Sequence, residues 1–163
     1  RNKMLKPIVH EYDFILIDCP PSFGLLTVNA LVASDYVIIP LQAEFLPLKG
    51  VHSFFHLLDM MKDIPNLHLE VAGFILTKFS ERKKLNREIK ETLEHEFDAK
   101  VFNTFIRTDI RLAAAQKKGL DIFSFAPGSH GSEDYEKLAN ELMEKLDHSI
   151  RHSTEENVMS LSH

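Results

Sequence analysis

Three apolar stretches limit the fold most narrowly: "FILID" at 14–18, "YVIIPL" at 36–41 and "VAGFILT" at 71–77. Each is continuous, not alternating, and rich in Ile, Val and Phe, the pattern of strands covered on both faces of a parallel sheet. A weaker fourth, "VFNTFI", lies at 101–106. Helical stripes fall between them. Leu48, Val51, Phe55, Leu58 and Met61 recur at spacings of three and four, as do Leu85, Ile89, Leu93 and Phe97. From Glu133 onward Tyr135, Leu138, Leu142, Leu146 and Ile150 repeat the pattern, with Ser132 as expected N-cap and Glu133 and Asp134 in the first turn. Strand and helix alternate, which predicts an α/β fold with a mostly parallel twisted sheet flanked by helices. Residues 1–150 are expected to form the domain, and the polar, aperiodic "RHSTEENVMSLSH" at 151–163 a disordered tail.

The 163 residues, 44% of them apolar, suit one globular domain with a sizeable core. A net charge of −5 gives no global basicity to advertise nucleic acid. The single cysteine, Cys19, has no internal disulfide partner, which favours a reducing cytoplasm. No apolar run reaches the roughly 18 to 20 residues of a membrane span, and no signal peptide is visible. The chain starts at Arg1, and an extended apolar stretch follows almost at once, so the start reads as a cut in a longer protein.

Asp18 closes the first apolar stretch. Ligands of open α/β sheets bind outside the carboxyl ends of the strands, and a carboxylate there can hold Mg2+ directly or through water. Pro20 and Pro21 stop the strand and forbid an immediate helix. Ser22 and Gly24 then allow a turn close to a phosphate before a helix over 25–34. The plainer alternative is that Asp18 merely ends a strand.

Across residues 12–51, "YDFILIDCPPSFGLLTVNALVASDYVIIPLQAEFLPLKGV", the sequence resembles the ParA family of partition ATPases. These form a branch of the P-loop proteins with a deviant phosphate-binding loop, related to MinD. "GFILTKF", "RKKLNREI", "IRTDIRLAAA" and "GSHGSEDYEKLANEL" extend the resemblance to about residue 147. The resemblance implies roles. Asp18 is the Mg2+-side Walker-B carboxylate and the catalytic residue of this chain. Cys19, Pro20, Pro21, Ser22 and Gly24 form the switch that senses the γ-phosphate of ATP. Thr77 and Lys78 border the adenine, with Thr108 and Asp109 on the opposite loop. The chain departs from the family at Ser80, where Asp is frequent, and at Arg107-Thr108, where Pro-Arg is frequent.

The family's phosphate loop, of the form KGGxGKT, has no counterpart here. The six glycines are scattered, and none precedes Lys-Ser or Lys-Thr. Such a loop supplies the backbone N–H groups that cradle phosphates. The sequence therefore reads as the C-terminal portion of an ATPase, and these residues alone are expected not to hydrolyse ATP.

Between Lys78 and Lys90 the sequence places Lys78, Arg82, Lys83, Lys84, Arg87 and Lys90 against Glu81 and Glu88, a local charge of about +4. Lys83, Lys84 and Arg87 are expected to face solvent, away from the Leu85/Ile89/Leu93 stripe. Such a patch can neutralise duplex phosphates without reading sequence, and Arg111, Lys117 and Lys118 extend it. A solvated helix face is the alternative. His52 and His56 have metal-ligand spacing, but the intervening Ser53, Phe54 and Phe55 speak against a metal site. Gln42 and Glu44 end the second strand and fit either a nucleotide contact or a turn.

The main expectation is a ParA-like ATPase for plasmid or chromosome partitioning. ATP with Mg2+ closes a homodimer, the dimer coats non-specific DNA in the cytoplasm at the nucleoid, and a ParB-like partner triggers turnover. A MinD-like membrane-positioning ATPase is one rival, although no amphipathic stripe marks the tail. A non-enzymatic truncated paralogue acting by dimerisation is the other.

Overall fold

The computed structural model describes residues 5–20, 22, 24–43, 48–61, 69–96 and 100–160, with side chains throughout except at 48, 49, 96 and 148–160. The elements alternate as the sequence predicts: α1 (Leu25–Ala33), β1 (Tyr36–Gln42), α2 (Leu48–Met61), β2 (Glu70–Phe79), α3 (Lys84–Glu96), β3 (Ile106–Arg107), α4 (Ile110–Lys117), α5 (Ile122–Phe125) and α6 (His130–Ser160). The three strands form one parallel sheet in the order β1-β2-β3, flanked by helices. The chain divides into two compact units, Arg1–Val37 with Pro47–Val71, and Ile38–Leu46 with Ala72–His163.

The first unit carries α1 and α2. Gly24 caps α1 with extended backbone, and the Thr27 hydroxyl donates to the Ser22 carbonyl at 2.6 Å. Leu31, Val51 and Met61 are buried, so the stripe expected for the second helix packs at both its ends. The expected strand at 14–18 does not form. Residues 14–20 have no regular structure, and Leu16 is 87% exposed. The reason is physical: a strand needs a hydrogen-bonded neighbour, and among the described residues none runs beside this stretch. Its apolarity records a demand for burial but not the surface that meets it.

In the second unit the sheet holds the core. Phe74, Ile75, Leu76 and Phe79 of β2 are all below 9% exposed, as a continuous apolar strand requires. Ile75, Phe102 and Ile106 form the centre of a cluster on which Ile38, Leu112, Leu138 and Leu142 pack. The expected fourth strand shrinks to the two residues of β3 and a single bridge between Val101 and Phe74. Gly73 explains how that bridge comes so close. Its φ is 150°, and a Cβ there would sit 2.6 Å from the Lys100 carbonyl oxygen. β2 and β3 pair Thr77 with Ile106 and Phe79 with Arg107, and the register breaks at Lys78 between them.

Two helix boundaries differ from expectation. Ser129, not Ser132, caps α6: its hydroxyl accepts from the Ser132 amide at 3.1 Å, the N-cap geometry. Ser132 lies one turn inside and is buried. At the other end the α6 backbone continues to Ser160, over a stretch expected to be a disordered tail. No Gly or Pro interrupts the chain from Ser132 to Ser160, so nothing local stops the helix.

Candidate functional site

An open cleft of about 720 Å3 lies wholly within the second unit, a volume suited to a nucleotide-sized ligand. Its polar floor is the end of β2, Thr77 and Lys78. Ile106 to Asp109 form one wall, and Leu112, Leu120, Phe123 and Tyr135 add an apolar lining. Four sequence-predicted residues, Thr77, Lys78, Thr108 and Asp109, thus meet at one cleft.

Lys78 is the backbone oddity of the floor. Its φ of 52° is left-handed, which a non-glycine residue adopts at a cost of about 1–2 kcal/mol. The register break is the cause, since an extra residue in one strand must turn out of the ladder. Its ammonium donates to the Gln42 side-chain oxygen at 3.2 Å, and the Thr77 hydroxyl donates to the Leu41 carbonyl at 3.2 Å. Gln42 therefore braces the floor from the neighbouring strand.

Asp109, besides lining the cleft, has a structural task. It is the N-cap of α4, and its carboxylate accepts from the Arg111 amide at 2.9 Å, from Arg111 Nε at 2.9 Å and from the Gly131 amide at 3.0 Å. Its side chain is only 3% exposed. The Arg111 guanidinium, then the two amides, hold the carboxyl well below the usual carboxylate range against the opposing effect of burial. Asp109 thus lines the cleft beside Thr108 while its carboxylate oxygens are engaged at the α4–α6 junction.

Arg107 fixes the same loop from its other end. Its amide and its guanidinium both donate to Asp134, and Nη2 also reaches Glu133 at 3.2 Å. Beyond its expected place as a first-turn anion of α6, Asp134 is buried, at 4% exposure, and anchors the cleft wall through Arg107.

The residues expected at the phosphate side belong to the first unit. Asp18, Cys19, Pro20, Ser22 and Gly24 are exposed, and Pro21 lies outside the described residues. The Cys19 thiol donates weakly to the Ile17 carbonyl at 3.8 Å, and the Ser22 amide donates to the Pro20 carbonyl at 2.7 Å. Because the expected strand is absent, Asp18 stands in an irregular segment, not at a strand's end. Among the described residues no group of three or more His, Cys, Asp or Glu is arranged to hold a metal.

The basic residues sit on and just before α3. Arg82, Lys83, Lys84 and Arg87 are exposed and Lys90 is half-buried. Lys84 pairs with Glu88 at 3.4 Å and Lys90 with Glu94 at 3.9 Å, exposed i,i+4 pairs worth a few tenths of a kcal/mol each. Arg87 donates to the Glu81 carbonyl, and Arg111 is committed to Asp109. The buried stripe of this helix is not the expected one. Leu85 is 53% exposed, while Asn86 is 0% exposed and joins Ile89 and Leu93. A single-sequence stripe prefers leucine over its polar neighbour; here the neighbour has hydrogen bonds waiting inside.

Known proteins resemble this chain across most of its length. A family model described as an AAA domain matches residues 2–71. The chain is 39% identical over 141 residues to the chromosome partitioning protein ParA of Myxococcus xanthus, covering 86% of this chain and 50% of that protein. It is 38% identical over 141 residues to the sporulation initiation inhibitor protein Soj of Bacillus subtilis, covering 86% and 56%. Among solved structures it is similar to cobyrinic acid a,c-diamide synthase from Mycobacterium smegmatis with bound ADP and magnesium. That match has a TM-score of 0.71 and 26% identity, covering 88% of this chain and 51% of that one. The chain spans about half the length of the relatives it matches. Among the described residues no helix is long and apolar enough to cross a membrane.

Proposed function

We propose, from the premise that the chain belongs to the ParA/Soj family, that it is the C-terminal portion of an ATPase that partitions DNA. The observation carrying this reading is the cleft itself: four residues assigned to the adenine by resemblance alone border one cavity with an apolar lining and a polar floor. That donor set fits a flat heteroaromatic base better than a phosphate, because the lining offers Leu112, Phe123 and Tyr135 while its two cations, Lys78 and Arg107, are engaged with Gln42 and with Asp134 and Glu133. The cleft therefore holds the base end of ATP. Thr108 and the loop main chain flank the ring, and Thr77 and Lys78 close the edge.

The phosphate end requires a glycine-rich loop that this sequence does not contain. Asp18 takes the magnesium side, through water, and Cys19 to Gly24 respond to the γ-phosphate. Bound magnesium supplies charge neutralisation along the phosphates, and the rest of catalysis in this class is positioning. Support for ATP and Mg2+ comes from the structural neighbours, solved with ADP or an ATP analogue and magnesium.

ATP binding brings two copies together, the dimer holds duplex DNA at the nucleoid through Arg82, Lys83, Lys84, Arg87 and Lys90, with Arg111 at the margin, and a ParB-like protein triggers hydrolysis. The partitioning names of the relatives support this reading. The test is direct. Ala113 is exposed and lines the cleft, so Ala113→Arg in the full-length protein is expected to weaken ATP binding about tenfold or more, as steric intrusion of a charge into an apolar site does. Unchanged affinity removes the cleft from the nucleotide site.

A further inference from the structure

Asn86 is a wholly buried polar side chain that neither the base site nor the basic face uses. It stands in the first turn of α3, and both ends of its amide are satisfied by main chain. Its Nδ2 donates to the Ala43 carbonyl at 2.5 Å, just beyond β1. Its Oδ1 accepts from the Ser80 amide at 2.7 Å, just beyond β2. The Ala43 amide in turn donates to the Thr77 carbonyl at 2.9 Å. One side chain thus ties the ends of two adjacent strands to each other and to α3.

Lys78 and Phe79 are all that separates Thr77 from Ser80, and they span the register break and the left-handed Lys78. The segment is held at its start by the Ala43–Thr77 bond and at its finish by the Ser80–Asn86 bond. A strained backbone persists only where its surroundings fix it, and these bonds do the fixing. The same side chain anchors the helix turn that presents Lys84 and Arg87, and the Lys83 amide closes the connection by donating to the Ser80 carbonyl at 3.0 Å.

We propose that Asn86 is a positioning residue that couples the two surfaces. Through its bonds to the Ala43 carbonyl and the Ser80 amide, occupancy of the Thr77–Lys78 floor by a nucleotide and engagement of duplex phosphates by α3 influence one another. The inference rests on the reading of the cleft as the base site and of α3 as the DNA surface. Coupling of this kind is reciprocal, so the factor by which nucleotide changes DNA affinity equals the factor by which DNA changes nucleotide affinity.

The experiment measures, in the full-length protein, the affinity for a random-sequence duplex with and without a non-hydrolysable ATP analogue and Mg2+. It also measures affinity for the analogue with and without the duplex. Wild type is expected to show one coupling factor in both directions, of about fivefold or more. Asn86→Leu, which removes both bonds at similar volume, is expected to bring that factor close to one while each ligand still binds alone. Asn86→Asp keeps the acceptor for the Ser80 amide but loses the donor to Ala43, and is expected to give an intermediate factor. It also carries the test if the leucine variant does not fold. Hydrogen exchange of the Ser80 amide, slow in wild type and fast in Asn86→Leu, reports the bond itself. A wild-type coupling factor preserved in a folded variant overturns the role of Asn86 alone. A wild type whose DNA and nucleotide affinities ignore each other overturns the coupling as a whole, and one that binds neither ligand overturns the underlying reading.

Discussion

Arg107 and Asp134 meet through main chain and side chain at once: the Arg107 amide donates to Oδ2 at 2.9 Å, and its guanidinium lays Nε and Nη2 on the same carboxylate at 2.7 to 3.1 Å. The pair is unequal in burial, with Arg107 33% exposed in its side chain and Asp134 5%. Asp134, ahead of Glu133, raises the Arg107 pKa, although burial pulls the other way.

That inequality predicts an order of mutational cost. Arg107→Ala strands a buried carboxylate with only main-chain support and is expected to destabilise by roughly 3 kcal/mol, the low end for breaking a buried pair. Asp134→Ala leaves a guanidinium that still reaches water and is expected to cost about 1–2 kcal/mol, mostly from the orphaned Arg107 amide. Urea unfolding of the full-length protein measures both. The reverse order would mean that Asp134 is the better solvated partner.

Acid sensitivity follows from two carboxylates of the second unit, Asp109 and Glu141. Asp109 is held low by Arg111 and two amides. Burial pushes Glu141 upward, but amide bonds from Asn103 and Thr104, both 2.8 Å, win and lower it. A carboxyl lowered on folding contributes its full stability above its unfolded value, about 4, and loses it as pH falls toward the folded value. Stability is therefore expected to be level in these groups from about pH 5 upward and to fall below about pH 4. Asp109→Asn should flatten that fall. A variant with the wild-type acid profile would remove Asp109 as a cause.

The charge on α3 gives a prediction in salt. Lys83→Glu with Arg87→Glu is expected to weaken binding to unrelated duplexes alike, and to reduce the slope of log affinity against log salt by about 2, one for each lost phosphate contact. Gel-shift titrations at several salt concentrations read the slope. An unchanged slope assigns α3 to a solvated face, consistent with the pairing of Lys84 and Lys90 to carboxylates on their own helix.

How much of this was legible in the sequence differs residue by residue. β1 and β2 were readable because an unbroken run of Ile, Val and Phe has few other places to go. The same reasoning failed at 14–18, since apolarity specifies burial and not a partner, and pairing is a property of two strands. α4 was hidden because "IRLAAAQK" is short and its inward residues, Leu112 and Ala115, make a stripe too slight to read. Asn86 was missed for the opposite reason. It sits on the buried face of an amphipathic helix, where pattern reading expects an apolar residue, and its justification lies in main-chain groups 6 and 43 residues away. The cleft residues at 77–78 and 108–109 came from resemblance, and nothing in their spacing could have joined them.

The division of labour between the two ends of the nucleotide leads to the last prediction. A base cleft contributes affinity and orientation, but hydrolysis needs charge stabilisation where the γ-phosphate leaves, and that takes oriented N–H donors, a lysine and a metal together. The 163 residues contain no glycine-rich loop for the donors, and Asp18 is the residue proposed for the metal side. Purified 1–163 is therefore expected to show no ATP hydrolysis above background, whereas the full-length protein turns over and loses that activity in Asp18→Ala, by a factor on the order of a hundred or more for loss of a group acting in the transition state. A coupled phosphate-release assay on both proteins decides it. Turnover by 1–163 that Asp18→Ala abolishes would show that these residues assemble the phosphate site unaided.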